Sequence, residues 1–436
     1  MRTSALLAAP LTLGHLSSGL IGFVDSAVAG HYGTDTLAGV SVGNALFWLP
    51  MLVPMGTLMS LPPRVSELDG ARRHDEIGPL FRQSLWLALV LGVLMFGFLS
   101  LAAGLLPSMG IAPEVRPHAQ AFLLAIRWGI PAFTFYLCMR YLSDGLHWTL
   151  PTMLLGFGGL LVLAPLGYAM AFGRFGFAPR GAAGLGIASA VMMWMQALAF
   201  AGYLWWSPRF KRFALFAHLE APNWIELRRL LATGLPIGVT VAMEGSLFIV
   251  TSLLIGRLGA IPAAAHQIAI NVASLCFMIP LGLAEATTVR VGHARGRADG
   301  AALRRALRAS YALLLITQTV SALVMVFGRH VIVGAYTQDA AVAALAAQLL
   351  LFAVAFQYPD GVQVISAGAL RGMQDTRMPM LLAAFAYWGV GMPVGAGLGL
   401  GLGYGPQGMW AGLIAGLTVA AILLGRRAWR SSRRLA

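Results

Sequence analysis

The chain has 436 residues, of which 58% are hydrophobic and only 11% are charged. Because an ordinary soluble domain carries about 25% charged residues, this composition excludes a water-soluble globule. The formal net charge of +14 would favour a nucleic-acid partner in a soluble protein. In a chain this apolar it indicates membrane orientation instead, and we expect no nucleic acid to bind.

Apolar runs bounded by charged residues and by Gly or Pro predict twelve helices, each near the roughly 20 residues that cross a bilayer. The first run is too long for the core of a cleavable signal sequence, and it recurs later in the chain. The predicted fold class is an all-α integral membrane protein with twelve transmembrane helices. In chain order the helices cover residues 6–29, 37–61, 80–107, 118–139, 152–173, 183–206, 229–256, 263–289, 305–328, 342–369, 378–398 and 407–425.

An internal repeat relates the two halves of the chain. A constant shift of 226 residues aligns positions 10–84 with the second half without a gap, and a later shift of 231 aligns a second motif. These shifts superpose Pro10 on Pro236, Gly30 on Gly256, Pro54 on Pro280, Arg64 on Arg290, Arg140 on Arg371 and Asp144 on Asp375. Matched Pro, Gly and Arg residues carry more weight than matched Leu or Ala.

The repeat predicts two pseudo-symmetric lobes of six helices, covering residues 1–206 and 229–436, with a basic tail at the end of the second lobe. Residues 207–228 form a basic cytoplasmic connector between them. Because six is an even number, both lobes enter the membrane from the same side, as in parallel repeats about the membrane normal. Two such lobes suggest transport by alternating access.

Basic residues alternate sharply between successive loops. One side of the membrane receives 24 of the 30 Lys and Arg residues and the other side receives five. By the positive-inside rule both termini lie in the cytoplasm. We therefore expect a multi-pass protein of a bacterial inner membrane, embedded in lipid.

Acidic residues inside predicted spans are candidates for function, because a charge in hydrocarbon is costly. Glu244 lies midway along the seventh helix and Asp360 lies inside the tenth, each flanked by Gly or Pro. A carboxylate pair facing one cavity could bind Na⁺ through oxygen ligands or share a proton. Asp25, near the outer end of the first helix, is either a third such acid or an interfacial acid without a role.

Two further ionisable residues fall within the spans. Glu285 lies near the cytoplasmic end of the eighth helix, where it either pairs with Arg290 or has a separate role. Arg127 is the one basic residue inside a span, and it either snorkels to the interface or pairs with an acid. The sequence leaves both roles open.

Signatures of an enzyme are missing from the sequence. It contains no HExxH, GxSxG or phosphate-binding Gly-x-x-x-x-Gly-Lys motif, and its single lysine is Lys211. The two cysteines, Cys138 and Cys276, lie in apolar stretches and indicate neither a disulfide framework nor a thiolate metal site. We therefore expect a carrier rather than an intramembrane enzyme or an ATP-driven pump, with no cofactor beyond a coupling ion.

The eighth helix and the loop after it resemble the multidrug and toxic compound extrusion (MATE) family, in particular its NorM branch. The resemblance extends over nearly the whole chain. It is carried by Ala265-His-Gln-Ile-Ala-Ile-Asn271, Pro280, Arg290-Val-Gly-His293, Gly22-Phe-Val-Asp25, Glu244, Asp360-Gly-Val-Gln363 and Ala367-Gly-Ala-Leu-Arg-Gly372. It implies two six-helix lobes around a V-shaped cavity and a functional monomer. It also implies a secondary active multidrug efflux transporter, which exports amphipathic, often cationic, organic compounds by antiport against Na⁺ or H⁺.

The resemblance also assigns residues. The family's second-lobe acids, which match Glu244 and Asp360, bind the coupling cation, and these two residues are the candidate ligands for Na⁺. The acid that matches Asp25 takes part in proton or sodium coupling. Gln267 and Asn271 match polar positions that face the substrate cavity.

This chain departs from its relatives at two places. Where relatives carry a tyrosine four residues before the tenth-helix aspartate, this chain has Phe356, with Tyr358 two residues further on; both are candidates for the cavity wall. Where relatives have Asn-x-Pro-x-Asn in the fifth helix, this chain reads Leu163-Ala-Pro-Leu-Gly167. The second difference weakens a sodium site around Asp25 and favours proton binding there.

Two other carriers remain as alternatives. A transporter of the major facilitator type is suggested by Asp69-Gly-Ala-Arg-Arg73 after the second helix, although the eighth-helix motif argues against it. A flippase for lipid-linked sugars would need a more basic cavity, and Arg127 is the one residue that could supply it.

Overall fold

The computed structural model describes residues 2–218 and 220–434. Within these residues the chain is helical and contains no β-strand. The helices are α1 (Arg2–Tyr32), α2 (Thr34–Leu58), α3 (Leu61–Gly70), α4 (Ile77–Leu105), α5 (Arg116–Ile126), α6 (Ile130–Gly145), α7 (Leu150–Phe172), α8 (Gly181–Trp206), α9 (Pro208–Lys211), α10 (Trp224–Gly256), α11 (Ala260–Gly296), α12 (Gly300–Gly334), α13 (Ala340–Gly372), α14 (Arg377–Ala384), α15 (Met392–Ala396) and α16 (Gly405–Arg434).

The predicted fold class is confirmed. In the described residues, twelve helical stretches are long and apolar enough to cross a membrane. Three of them combine shorter helices, since α2 and α3 lie within Thr34–Gly70, α5 and α6 lie within Arg116–Gly145, and α14 and α15 lie within Arg377–Gly401. The two π-helical turns of Arg377–Gly401 are Phe385–Gly391 and Gly397–Gly401.

The helices are longer than the predicted spans, mainly at their polar ends. The eighth span continues to Gly296 instead of residue 289, and the last continues to Arg434 instead of residue 425. Hydropathy detects the part of a helix that matches hydrocarbon, whereas polar and basic residues extend the same helix into water. Local caps fix some of the ends, as at the start of α12, where the Asp299 side chain accepts a hydrogen bond from the Ala302 N–H (2.7 Å).

The contacts between helices divide the chain into two compact units. The first unit is Leu13–Gly238, and the second unit is Met1–Thr12 together with Val239–Ala436. The lobes predicted from the repeat run over 1–206 and 229–436. The units differ from them at the start of α1, at the start of α10 and at the connector 207–228, which falls within the first unit. Residues 229–238 belong to the first unit because Gly234 and Gly238 pack directly against the backbone of α2.

Small residues allow the long helices of the second unit to approach closely. A Cβ atom on Gly368 of α13 would lie 2.5 Å from the carbonyl oxygen of Ala284 on α11. At this crossing the Thr288 hydroxyl donates to the Gly368 carbonyl oxygen (2.8 Å). Such contacts through glycine and hydroxyl side chains are typical of helix packing in membranes. They fix α13, which carries the main cluster of candidate residues.

Candidate functional site

Asp360 lies in the interior of the second unit, on α13. Its side chain is almost completely buried, with 3% exposure. Pro359 lacks a backbone N–H, so it interrupts the hydrogen bonding of the helix beside the acid. On the other side, a Cβ atom on Gly361 would lie 2.5 Å from Leu314 Cδ1 of α12. The Pro-Asp-Gly sequence thus lets α12 pack closely against the turn that carries the carboxylate.

A single amide group connects Asp360 with Glu244 of α10. The Gln363 Nε2 atom donates to Glu244 Oε1 (3.0 Å) and to Asp360 Oδ1 (3.3 Å). The two carboxyl groups therefore share one donor nitrogen and are neighbours in space. Gln363 is itself 2% exposed, so the amide is a fixed part of the protein interior. The structure thus brings together the two second-lobe acids that the sequence singled out.

Tyr387 completes this cluster from the eleventh span. Its hydroxyl group donates to Gln363 Oε1 (2.9 Å), and its side chain is 0% exposed. Tyr387 lies in the π-helical turn Phe385–Gly391, and such turns occur frequently at functional sites. The turn packs on α16 through glycine, since a Cβ atom on Gly391 would lie 3.2 Å from Gly416 Cα.

A second polar group lies one helical turn before Asp360. Gln357 and Gln318 form a reciprocal pair, in which each side-chain amide donates to the main-chain oxygen of the other residue (3.3 and 3.4 Å). The Ser321 hydroxyl donates to Gln357 Oε1 (3.0 Å). These bonds satisfy buried amides that would otherwise be costly in a membrane interior. They also hold α12 against the face of α13 that bears Asp360 and Gln363.

The chemical capacity of this cluster follows from its donors and acceptors. It offers carboxylate oxygens, one amide and one phenol, and the described residues contain no group of three or more His, Cys, Asp and Glu side chains that could hold a metal. Two neighbouring carboxylates repel each other when both are charged, and a bound cation or proton relieves that repulsion. The arrangement suits a small monovalent charge that binds and leaves.

Asp25 stands apart from this cluster, in the first unit. It is 2% exposed, and its Oδ2 accepts a long hydrogen bond from the Ser189 hydroxyl of α8 (3.4 Å). Its Oδ1 is buried without a hydrogen-bond partner in the described structure. Protein groups rather than solvent therefore surround this carboxyl group. Its role in coupling stays a prediction.

The four candidate cavity residues occupy different surroundings. Gln267 and Asn271 are exposed on α11, where the Gln267 amide donates to Asn271 Oδ1 (3.0 Å). Phe356 is buried between the rings of Phe248 and Trp410, with centroid distances of 5.9 and 5.6 Å. In this conformation Phe356 therefore belongs to the apolar core.

Tyr358 and Arg127 each contact a hydroxyl group on a neighbouring helix. Tyr358 is half-buried, and its hydroxyl donates to Thr319 Oγ1 (3.4 Å). Arg127 donates to Ser100 Oγ (2.9 Å), and its guanidinium carbon lies 5.0 and 5.7 Å from the ring centroids of Phe96 and Trp128. Aromatic faces thus surround Arg127 in the first unit. Glu285 is half-buried on α11.

The sequence analysis did not assign a role to Gln363 or to Tyr387. Gln363 follows Asp360 by three positions, so both side chains lie on the same face of α13, and this spacing was a usable signal. Tyr387 comes from another span, 24 positions beyond Gln363, and no local pattern connects the two residues. The phenol reaches the amide because the eleventh span and α13 both pack on α16.

Twelve long apolar helices with buried acids in the spans define a multi-pass membrane transporter. Comparison with known proteins identifies the family. The MatE family model matches residues 10–169 and 236–396, and these two segments begin at Pro10 and Pro236, which the internal repeat superposes. The chain belongs to the MatE family of transporters, which are not enzymes.

Relatives and solved structures agree with this assignment. The chain is similar to the "Probable multidrug resistance protein NorM" of Xanthomonas campestris pv. campestris, with 68% identity over 100% of this chain and 95% of the relative. It is also 42% identical to the "Multidrug resistance protein PmpM" of Pseudomonas aeruginosa, over 98% of this chain and 91% of the relative.

The fold matches two solved transporter structures. One structure is described as the outward-facing conformation of a multidrug resistance MATE family transporter of the MOP superfamily; its TM-score is 0.90 at 19% identity, covering 99% of this chain and 96% of that one. A MATE in the straight conformation gives a TM-score of 0.90 at 19% identity, covering 100% of this chain and 96% of that one. At this identity the likeness concerns the fold alone.

Proposed function

We propose that this MATE transporter exports amphipathic, often cationic, organic compounds by antiport against H⁺ or Na⁺ through alternating access. One observation carries the coupling part of the proposal: Glu244 and Asp360 are held together in the second unit by the amide of Gln363. The drug-export part is supported by membership in the MatE family and by relatives with names that describe multidrug resistance.

The chemistry of the acid pair explains how one cation can exchange for another. An organic cation and the coupling ion each neutralise the same carboxylates, so binding of one weakens the binding of the other. An inward gradient of the coupling ion then favours release of the drug outside. The membrane potential adds about 2.3 kcal/mol per charge per 100 mV. For a transport cycle that moves one net charge, this energy supports a roughly 50-fold concentration ratio of the drug across the membrane.

The proposal includes the surroundings of the protein. The transporter acts as a monomer in lipid, in a bacterial inner membrane, with both termini in the cytoplasm. The 24 basic residues on the predicted cytoplasmic side support this orientation. Reporter fusions to the tail that follows Arg426 test the orientation, and a reporter active only in the periplasm would contradict it.

The transport experiment uses purified protein in liposomes and follows ethidium as a fluorescent organic cation. An imposed H⁺ gradient and an imposed Na⁺ gradient are compared at equal membrane potential. We expect ethidium movement to require at least one of the two gradients and to stop when both are collapsed. Ethidium efflux that continues with ATP alone would refute secondary transport.

A further inference from the structure

We propose that Tyr387 is a specificity-determining residue, which disfavours Na⁺ at the Glu244–Asp360 pair by fixing the orientation of the Gln363 amide. The inference rests on the proposed function, in which this pair binds the coupling ion. It goes further because it selects H⁺ over Na⁺ and names the residue responsible.

The buried hydroxyl group of Tyr387 determines which way the amide points. This hydroxyl donates to Gln363 Oε1 (2.9 Å), and the described structure gives it no other acceptor. If the amide were reversed, Nε2 would donate to the phenol oxygen and the phenol hydrogen would have no acceptor. A buried donor without a partner is costly, so Tyr387 keeps Oε1 on its own side and Nε2 on the side of the acids.

The fixed amide presents hydrogen atoms to both carboxyl groups. An amide nitrogen carries two hydrogens, and one is directed to Glu244 Oε1 and the other to Asp360 Oδ1. Hard cations require several oxygen ligands. Here the nearest neutral polar group offers N–H dipoles, which repel a cation, while its oxygen faces the phenol. The pair thus lacks the amide oxygen that would help to hold Na⁺.

A proton does not have this requirement. It binds covalently to one carboxyl oxygen, leaves the other carboxylate to accept from Nε2, and needs no further ligands. The same fixed amide that disfavours Na⁺ is therefore compatible with protonation of either acid. Tyr387 is rigid because it is fully buried, and its π-helical turn packs on Gly416 of α16. Its hydroxyl cannot easily move aside for Na⁺.

Direct measurement of ²²Na⁺ binding to the purified transporter in lipid nanodiscs tests the inference at fixed pH. We expect Tyr387→Phe to bind ²²Na⁺ about tenfold more tightly than wild type, since reversing the amide no longer leaves a hydroxyl without an acceptor. The matched control is Tyr311→Phe, which removes a half-buried phenol that is also hydrogen-bonded to α13 (Tyr311 to Ser366, 2.7 Å). This control keeps wild-type Na⁺ affinity.

A double-mutant comparison identifies the oxygen involved. In a Gln363→Leu background, Tyr387→Phe should leave ²²Na⁺ affinity unchanged, because the gain needs the amide oxygen of Gln363. If Tyr387→Phe raises affinity equally in both backgrounds, the amide is not the selecting group and the inference is wrong. It is also wrong if wild type and Tyr387→Phe bind ²²Na⁺ equally well.

Wild-type protein in liposomes provides a test that needs no folded variant. A Na⁺ gradient at constant pH should not drive ethidium efflux, whereas an H⁺ gradient should. Efflux driven by Na⁺ would overturn the role of Tyr387 but leave antiport intact. Absence of efflux under both gradients would instead contradict the proposed function.

Discussion

Neutralising the buried acids is the most direct test of the coupling site. We expect Glu244→Gln and Asp360→Asn each to abolish gradient-driven efflux while leaving the protein folded. Each acid accepts one hydrogen bond from Gln363. A hydrogen bond to a charged group contributes about 1.5–3 kcal/mol and a neutral one about 0.5–1.5 kcal/mol. The new side-chain amide still accepts this bond, and neutralisation also removes the repulsion between the two acids, so each substitution should cost at most about 1–1.5 kcal/mol of folding stability.

The functional cost is larger than the structural one. Without the exchangeable charge, the transporter loses the roughly 50-fold drug concentration ratio that one coupled charge supports per 100 mV of membrane potential. Ethidium efflux from liposomes under an imposed gradient measures this effect, and size-exclusion chromatography with thermal unfolding checks the fold. The matched control is Glu226→Gln on the same helix, α10, where the acid is 28% exposed and pairs with Arg229 and Arg64. This control should transport like wild type.

Two outcomes would refute this reasoning. If both neutralised variants still move ethidium with the gradient, the acids are structural and the coupling ion binds elsewhere. If the Glu226 control fails equally, the loss reflects a general sensitivity to charge on α10.

Three further predictions address other parts of the molecule. Asp25→Asn should flatten the pH dependence of transport and leave its response to Na⁺ unchanged, because the carboxyl group has, among the described residues, only the long hydrogen bond from Ser189 and so few ligands for a metal ion. A wild-type pH profile in this variant would contradict a coupling role. Gly412→Ala should lower the unfolding midpoint, since the added Cβ would overlap Gly395, at a cost of about 1–3 kcal/mol, whereas Gly397→Ala has open space and should not. The hydrogen bond from Arg82 lowers the pKa of Glu220 in the connector, so the stability from this pair is present above the ordinary pKa of a glutamate and is lost as pH falls through the lowered value. Proteolysis of the connector should therefore become faster at low pH. In Glu220→Gln, which lacks the ion pair at every pH, the same fall in pH should not change the rate of proteolysis.

Much of the architecture could be predicted from the sequence because the bilayer imposes simple rules. Every backbone group in hydrocarbon needs an internal partner, so long apolar runs become helices, and all twelve predicted spans are present. The helix ends were less accurate, as in α11 and α16, because polar turns remain helical after they leave the apolar region.

The site was only partly visible in the sequence. A carboxylate in an apolar span is costly wherever it lies, so Glu244 and Asp360 stood out without any structure. The environment of each acid was not readable in this way. The burial of Asp25 could not be predicted because it depends on which helices cover a residue, and α8 contacts this one through Ser189.

The sequence by itself therefore determined the helices, their number, the repeat and the two acids, since each follows from composition and spacing along the chain. The tertiary structure decided which groups meet across helices. Gln363 of α13 touches Asp360 on its own helix and Glu244 on α10, and Tyr387 reaches Gln363 because a π-helical turn packs on the glycines of α16. Hydrogen bonds act over about 3 Å, and residues far apart in the sequence come within that distance only when the helices have packed.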